Sequence, residues 1–188
     1  HRESRGLGDV YKRQVVAKDT TNKSPQRPEE ALFYVRQGDY KTDFTIRVKY
    51  QGTTYSASKT TLDSSNAANQ GDVRTNTIMS DLATTLTGVL PAGFTTELLD
   101  NVFYVKRDDN AAFEVEASDS RGDTFIYAFK GQTANFDDLP PRGKEGFLIE
   151  VIGDNEKGQD DYYVQLSDPD GNGPVSYTHL RAHETHDD

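Results

Sequence analysis

Apolar and polar residues alternate in short stretches along most of this chain, and this alternation limits the possible fold more than any other feature. The stretches are rich in β-branched and aromatic residues. Because successive side chains of a strand point to opposite faces, a period of two is typical of half-buried antiparallel strands. We assign strands to ALFYVRQGDY, FTIRVKYQGTTYSAS, FTTELL, VFYVKR, AFEVEAS, DTFIYAF, GFLIEVIGD and DYYVQLSD. The first two stretches are interrupted at Gly38 and Gly52, a pattern that is typical of hairpin strands.

One stretch departs from the period of two. Its apolar residues recur near helical spacing at Val73, Ile78, Leu82, Leu86 and Leu90. Asp72 is a suitable N-cap residue, Gly88 is a suitable C-terminal cap, and Pro91 is expected to end the helix. The pattern therefore predicts an amphipathic helix over about 73–87. The predicted fold class is therefore α+β, a mostly antiparallel sheet with one helix.

The composition agrees with a single strand-rich domain. The chain has 188 residues, of which 34% are hydrophobic, with 10 Tyr and 9 Phe against no Trp and one Met. This length is enough to bury a core, and the aromatic content favours strands over disorder. With no cysteine there can be neither a disulfide framework nor a thiolate metal site.

The formal net charge of −10 restricts the partners. An acidic surface repels phosphate, which argues against adhesion to nucleic acid but does not forbid a conduit for DNA. No apolar run approaches the length of a membrane span and no signal peptide opens the chain, so we expect a soluble, unexported protein without membrane contacts.

The two ends differ from the rest. Residues 1–14 and 175–188 show no pattern that could be buried, and both resemble translated sequencing-adapter DNA, so we predict that they are artefactual flanks without contacts to the core. This interpretation discounts His179, His183 and His186 as a metal-binding tract. The flanks hold equal numbers of acidic and basic residues, so the whole net charge belongs to residues 15–174, the predicted module.

Signals for catalysis are weak. No G-x-S-x-G motif exists, and no histidine remains outside the flanks. Paired carboxylates, which a glycosidase would need, occur at Asp108–Asp109, Glu114 and Glu116, Asp137–Asp138 and Asp160–Asp161. We expect these to be solvated turns and, for Glu114 and Glu116, the wet face of a strand opposite Phe113 and Val115. We therefore predict no catalytic residue and no enzyme.

Two other motifs also favour turns. DPDGNG at 168–173 has the rhythm of a calcium loop but lacks the terminal bidentate acid and the flanking helices of an EF-hand. Arg121–Asp123 has the sequence of an adhesion tripeptide, but it lies where a hairpin needs a glycine turn, so we interpret it as a turn. No phosphate-binding loop or dinucleotide motif is found, so we predict no metal and no cofactor.

The stretch NFDDLPPRGKEGFLIEVIGD, residues 135–154, predicts a loop that orients a strand. Pro140 and Pro141 each fix a φ angle and cannot donate to a ladder, and Leu139 before them is held extended. Gly143 and Gly146 allow the turn into the strand that follows. In that strand the alternation assigns Phe147, Ile149 and Val151 to the core, and Leu148 and Glu150 to the opposite face.

The order of these features resembles the tail nozzle family of short-tailed bacteriophages, also called tail tubular protein B. The resemblance rests on the Asp-Leu-Pro-Pro turn, the strand GFLIEVIGD and the segment DDYYV, together with EALFYVRQGDYKTDFTIRV, the helix segment and FEVEASDSRGDTFIYAFKG. It covers 15–174, which would be an early portion of a longer subunit.

The resemblance implies a structural virion protein of the phage tail, assembled in the host cytoplasm. It further implies a hexameric ring below the tail adaptor protein, with tail fibres as further neighbours, through which DNA passes without specific binding. Two alternatives stay open: a virion-associated carbohydrate-binding or glycan-cleaving module, and a bacterial surface or adhesion domain. A glycan module should expose Tyr or Phe beside carboxylates in a cleft, which a nozzle piece should lack.

Overall fold

A computed structural model describes residues 28–153, 157, 161–168 and 175–180. Within these residues the chain forms eleven strands and one α-helix, which confirms the α+β class. In chain order the elements are β1 (Glu30–Val35), β2 (Asp43–Tyr50), β3 (Thr53–Thr60), α1 (Thr75–Val89), β4 (Phe94–Leu99), β5 (Val102–Arg107), β6 (Glu114–Asp119), β7 (Ile126–Phe129), β8 (Gln132–Thr133), β9 (Leu148–Val151), β10 (Tyr162–Ser167) and β11 (Ser176–Leu180).

The strands form three sheets. The central sheet has the order β4-β5-β1-β7, the helix-side sheet has the order β3-β2-β6, and the outer sheet has the order β11-β10-β9-β8. All strand pairs are antiparallel except β8 with β9. The sheet is thus mostly antiparallel, as the alternation predicted.

The hairpin prediction is right for β2 and β3 and wrong for β1. Gln51 and Gly52 connect β2 to β3 with φ values of 49° and 76°, the positive angles that a two-residue hairpin turn requires. β1 instead pairs with β5 and β7 in the central sheet. Its residues 31–35 are all buried, because the central sheet is covered on both faces. Periodicity cannot reveal such pairing, since the partner strands lie far away in the sequence.

The central sheet separates two cores. The helix-side core lies between the central sheet, the helix-side sheet and α1; its largest fully buried side chains are Phe33, Phe44, Phe103, Ile46, Ile78, Met79, Leu82, Leu86 and Ile126. The outer core lies between the other face of the central sheet and the outer sheet. Its buried members are Leu32, Tyr34, Val102, Tyr104, Phe129, Leu139, Phe147, Ile149, Val151, Val164 and Leu166.

The helix begins two residues later than predicted. A 3-10 turn over Ala67–Gly71 precedes it, and Asp72 caps that turn instead of the helix. The Asp72 carboxylate is drawn away because it accepts hydrogen bonds from Lys59 Nζ at 2.6 Å and from the Leu62 amide at 2.7 Å. Gly88 lies inside α1, and the helix ends where Leu90 becomes extended before Pro91.

The loop before β9 has the predicted form. Leu139 is extended, with φ −63° and ψ 141°, and Gly146 has a φ of 82°. Gly143 is required for space, because a Cβ atom there would lie 2.5 Å from Leu166 Cδ1. The core assignment of Phe147, Ile149 and Val151 is confirmed, whereas Glu150 on the opposite face is also buried.

The prediction that residues 175–188 lack contacts with the core is wrong for 175–180. Residues 176–180 form β11 and pair with β10. Tyr177 packs on the outer core and donates its hydroxyl to the Pro140 carbonyl at 2.6 Å. Tyr177 and His179 lie on the same face of β11 because they are two residues apart on one strand. Residues 1–14 and 181–188 lie outside the described residues. The artefactual origin of both flanks stays a prediction.

Candidate functional surfaces

Glu114 and Glu116 lie on the exposed face of β6, as predicted for a wet strand face. The opposing strand β2 carries cations in register with them. Glu116 pairs with Arg47 Nη1 at 3.4 Å and with Lys49 Nζ at 3.6 Å, and Lys49 lies directly opposite Glu114. Cross-strand pairs of opposite charge stabilise a sheet modestly. The two carboxylates therefore belong to a solvated charge ladder across β2 and β6.

The Asp108–Asp109 pair serves the turn after β5. Asp109 accepts hydrogen bonds from Arg107 Nε at 2.8 Å and from the Ala111 amide at 3.0 Å, and these bonds, the one from Arg107 first, lower the pKa of Asp109 to about 2. The Arg107 guanidinium is buried over the Tyr50 and Phe94 rings, at 4.5 and 4.8 Å from their centroids. Asp109 thus compensates a buried cation, a structural role.

Lys59 on β3 is held between two carboxylates. It bonds to Asp72 in the linker before α1 and to Asp81 on the helix. Burial opposes the charge of Lys59, but the bonds to Asp72 and Asp81 outweigh burial and raise the pKa of Lys59. Burial also opposes the charge of Asp72, but the bonds from Lys59 and from the Leu62 amide outweigh it and lower the pKa of Asp72. This network attaches the helix to the helix-side sheet.

The tripeptide Arg121–Asp123 is folded into a turn governed by Asp119. The Asp119 carboxylate accepts hydrogen bonds from four backbone amides, those of Arg121, Asp123, Phe125 and Ile126. The Arg121 guanidinium folds back onto Thr42 Oγ1, the Tyr40 carbonyl and Asp39. The motif is therefore held in a turn by contacts within the chain.

The same turn forms one wall of an open depression of about 410 Å³. Its lining residues are Asp39, Tyr40, Lys41, Asp63, Ser64, Ser65 and Arg121. Asp63 bonds to the amide and hydroxyl of Ser65, chiefly the hydroxyl, and these bonds lower the pKa of Asp63. Sequence reasoning missed this depression because its walls come from three separate loops, and no local pattern marks their meeting.

Those members of the remaining candidate motifs that the structure describes lie apart from one another. Asp138 pairs with Arg36 at 3.6 Å, and Asp161 accepts from the Gly153 amide at 2.9 Å. His179 lies on β11 with its ring stacked on Tyr162 at 4.8 Å. Asp160, residues 169–173 of the calcium-like loop, His183 and His186 lie outside the described residues. In the part of the chain that the structure describes, no three His, Asp or Glu side chains converge as a metal site would need.

Among the described residues, no helix is both long and apolar enough to cross a bilayer.

Residues 10–173 match the model of one protein family, described as bacteriophage nozzle protein. No curated protein matches the chain. The matched range includes every described strand except β11, and both cores are built largely from it.

Proposed function

Because the chain belongs to the bacteriophage nozzle protein family, a family of structural proteins of the phage tail, we propose that it is one subunit of a hexameric ring. This ring closes the distal end of the tail in the virion and forms the channel through which DNA leaves. The family match over residues 10–173 is the observation that carries this proposal. The tail adaptor protein above the ring and tail fibres beside it are the proposed partners, and assembly takes place in the host cytoplasm.

The charge of the chain supports a conduit. With a net charge of −10, its surface repels a polyanion, so DNA can slide past without adhering. The cations Arg47, Lys49 and Lys59 are each paired with carboxylates. Cations neutralised in this way offer little to phosphate.

The edges of the sheets supply surfaces for assembly. β4 ends the central sheet, and no described strand pairs with its outer edge. Leu98 on that strand is exposed, as is Val89 at the end of α1. Unpaired edges and exposed apolar side chains mark surfaces that a neighbouring subunit can cover.

Reversal of acidic charge in the full-length subunit tests the channel. Glu114 and Asp137 are exposed, and Glu114→Lys with Asp137→Lys should slow DNA ejection from virions while rings still form, if these faces line the channel. Glu114→Gln with Asp137→Asn is the matched control that removes charge without reversing it. Electron microscopy measures the rings, and release of labelled DNA measures ejection. A subunit that forms no ring with the adaptor, or that infectious particles do not need, contradicts the proposal.

The depression at Tyr40 favours a second candidate function, binding of a host-surface glycan. It combines an aromatic ring with Asp39, Asp63 and two serine hydroxyls, the groups that bind sugar hydroxyls. Titration calorimetry with host-surface oligosaccharides tests it, with Tyr40→Ala as the variant and Phe136→Ala, an exposed aromatic elsewhere, as the control. Saturable binding that Tyr40→Ala alone abolishes supports this function, and absence of binding to the unaltered chain removes it.

A further inference from the structure

β4 is an edge strand whose outer side carries backbone groups that no described strand binds. Among the described strands it pairs with β5 alone. The Asp108 amide donates to the Gly93 carbonyl at 3.0 Å, one step beyond the register that joins β4 to β5. Because bonded and non-bonded positions alternate along an antiparallel pair, the odd-numbered residues of β4 bond to β5 and the even-numbered residues bond outward. The outward-bonding residues are Phe94, Thr96 and Leu98.

This edge lacks the features that keep edge strands from pairing with other chains. Proline, lysine or a bulge commonly gives such protection. The strand Phe94–Leu99, FTTELL, has neither proline nor lysine, and its register with β5 runs without a bulge. Leu98 is 44% exposed, although Phe103 opposite it on β5 is buried. An exposed apolar side chain beside unpaired N–H and C=O groups makes the β4 edge a site for strand addition.

The other edge of the central sheet offers fewer free groups. This edge is β7, and the Arg36 amide donates to the Phe125 carbonyl just before it. Alternation therefore directs the backbone groups of Ile126 and Ala128 outward. The Ile126 amide already donates to the Asp119 carboxylate at 3.2 Å. A second copy of β4, with three outward-bonding residues, is a better match for β4 than β7 is.

Two copies of β4 are complementary when they run antiparallel with Thr96 on a two-fold axis. Phe94 then lies opposite the second copy's Leu98 on the helix-side face, so its ring covers that exposed side chain. On the other face, Glu97 lies opposite the second copy's Thr95. A two-fold axis moved by one residue would place the two Glu97 carboxylates directly opposite each other, which is unfavourable. Charge and apolar contact therefore select a single register.

We propose that two copies of this chain form a dimer through β4, in which their central sheets become one continuous sheet. Successive subunits of a ring are related by the rotation of the ring and do not share a two-fold axis. The dimer is therefore a form of the chain outside the ring, and it goes beyond the function proposed above. It covers the β4 edge until a subunit enters the ring.

Sedimentation velocity on the full chain tests the dimer. The unaltered chain should change from monomer to dimer as its concentration rises to about 1 mM. Leu98→Glu should raise the dissociation constant of the dimer by about tenfold or more, because it places a carboxylate in the apolar contact. Leu62→Glu adds the same charge at an apolar residue that is 53% exposed in a different loop, and it should leave the constant unchanged. A chain that stays monomeric at about 1 mM, or a dimer that both variants weaken equally, overturns the proposal.

Disulfide crosslinking tests the register and decides alone if Leu98→Glu does not fold. The chain has no cysteine, so Thr95→Cys and Glu97→Cys each carry one thiol. Residues opposite each other at a non-bonded position have Cα atoms about 4.5 Å apart, within reach of a disulfide. An oxidised mixture of the two variants should therefore form crosslinked dimers about tenfold faster than either variant alone. Equal rates in the three samples overturn the proposal.

Discussion

The two faces of the central sheet pack against cores of different chemistry. The helix-side core is built from phenylalanine and aliphatic side chains, with Phe33 and Phe103 stacked at 6.3 Å, and none of its fully buried described residues is a tyrosine. The outer core contains buried Tyr34 and Tyr104, with Tyr127, Tyr162 and Tyr177 packed at its margin. The buried side chains of the helix-side core cluster are all apolar, whereas the outer core also buries two tyrosines.

The buried hydroxyl groups of the outer core need partners. Tyr104 donates to Glu30 Oε2 at 2.7 Å, and Tyr177 donates to the Pro140 carbonyl. Burial raises the pKa of Tyr34, Tyr104 and Tyr177 above the ordinary value. The outer core therefore depends on particular hydrogen bonds, whereas the buried interior of the helix-side core depends on volume and shape.

The largest expected effect comes from a charge placed in each core. Ile149→Asp buries an unpaired carboxylate in the outer core and should lower the free energy of unfolding by more than about 4 kcal/mol. Amide exchange should then lose protection first in β9 and β10, while β2 and β3 keep theirs. The matched variant Ile46→Asp in the helix-side core should expose β2 and β3 first. Simultaneous loss in all strands for both variants would show that the two cores are one cooperative unit.

A smaller effect should come from removing one hydroxyl. Tyr104→Phe leaves Glu30 without its donor and should lower the free energy of unfolding by about 1 to 2 kcal/mol in urea titration. Because the pKa of Tyr104 is raised in the folded state, its contribution is fully present below pH 10.0 and is lost as the pH rises above that value. The unaltered chain should therefore lose stability in alkali more steeply than Tyr104→Phe. Equal alkaline slopes would contradict the assigned role.

The proline pair should have a still smaller effect. Pro141→Ala, at an exposed position, should cost about 0.5 to 1 kcal/mol by freeing the unfolded chain, and Pro140→Ala should cost more because Pro140 is buried beside the outer core. Thermal unfolding of the two single variants gives the order. If Pro141→Ala were the more destabilising, the loop would orient β9 through a contact absent from this structure.

The smallest effect should be a gain on the helix side. Gly88 lies inside α1, and a Cβ atom there would meet nothing within 4 Å. Gly88→Ala should raise the free energy of unfolding by about 0.5 to 1 kcal/mol, because alanine costs less backbone entropy in a helix. Gly143→Ala is the contrasting variant in the outer core, where the new methyl group meets Leu166 and should destabilise. A loss of stability for Gly88→Ala would mean that the helix ends at Gly88, as the sequence alone suggested.

The sequence predicted those parts of the fold that depend on local pattern. β4 and β5 have the predicted bounds, and Ile78, Leu82 and Leu86 form the buried face of α1. The membership of β1 in the central sheet was not predictable, because strand pairing depends on distant residues. The start of α1 was missed because Lys59, also distant in sequence, draws Asp72 away from the helix.

The candidate sites divide in the same way. Glu114 and Glu116 were placed correctly on a solvated face, since alternation alone fixes which way a strand residue points. The depression at Tyr40 and the burial of Glu150 were missed because each depends on several segments meeting. β11 did carry a local signal, since Tyr177 and His179 alternate with polar residues, but its resemblance to adapter sequence outweighed that pattern.

The double burial of β1 has a consequence for how this architecture can vary. Leu32 and Tyr34 point to the outer core, whereas Ala31, Phe33 and Val35 point to the helix-side core. A one-residue insertion within β1 would exchange these two sets and carry the Tyr34 hydroxyl into the apolar core. Related chains should therefore tolerate length changes in exposed loops such as residues 62–66, while β1 changes only by substitution.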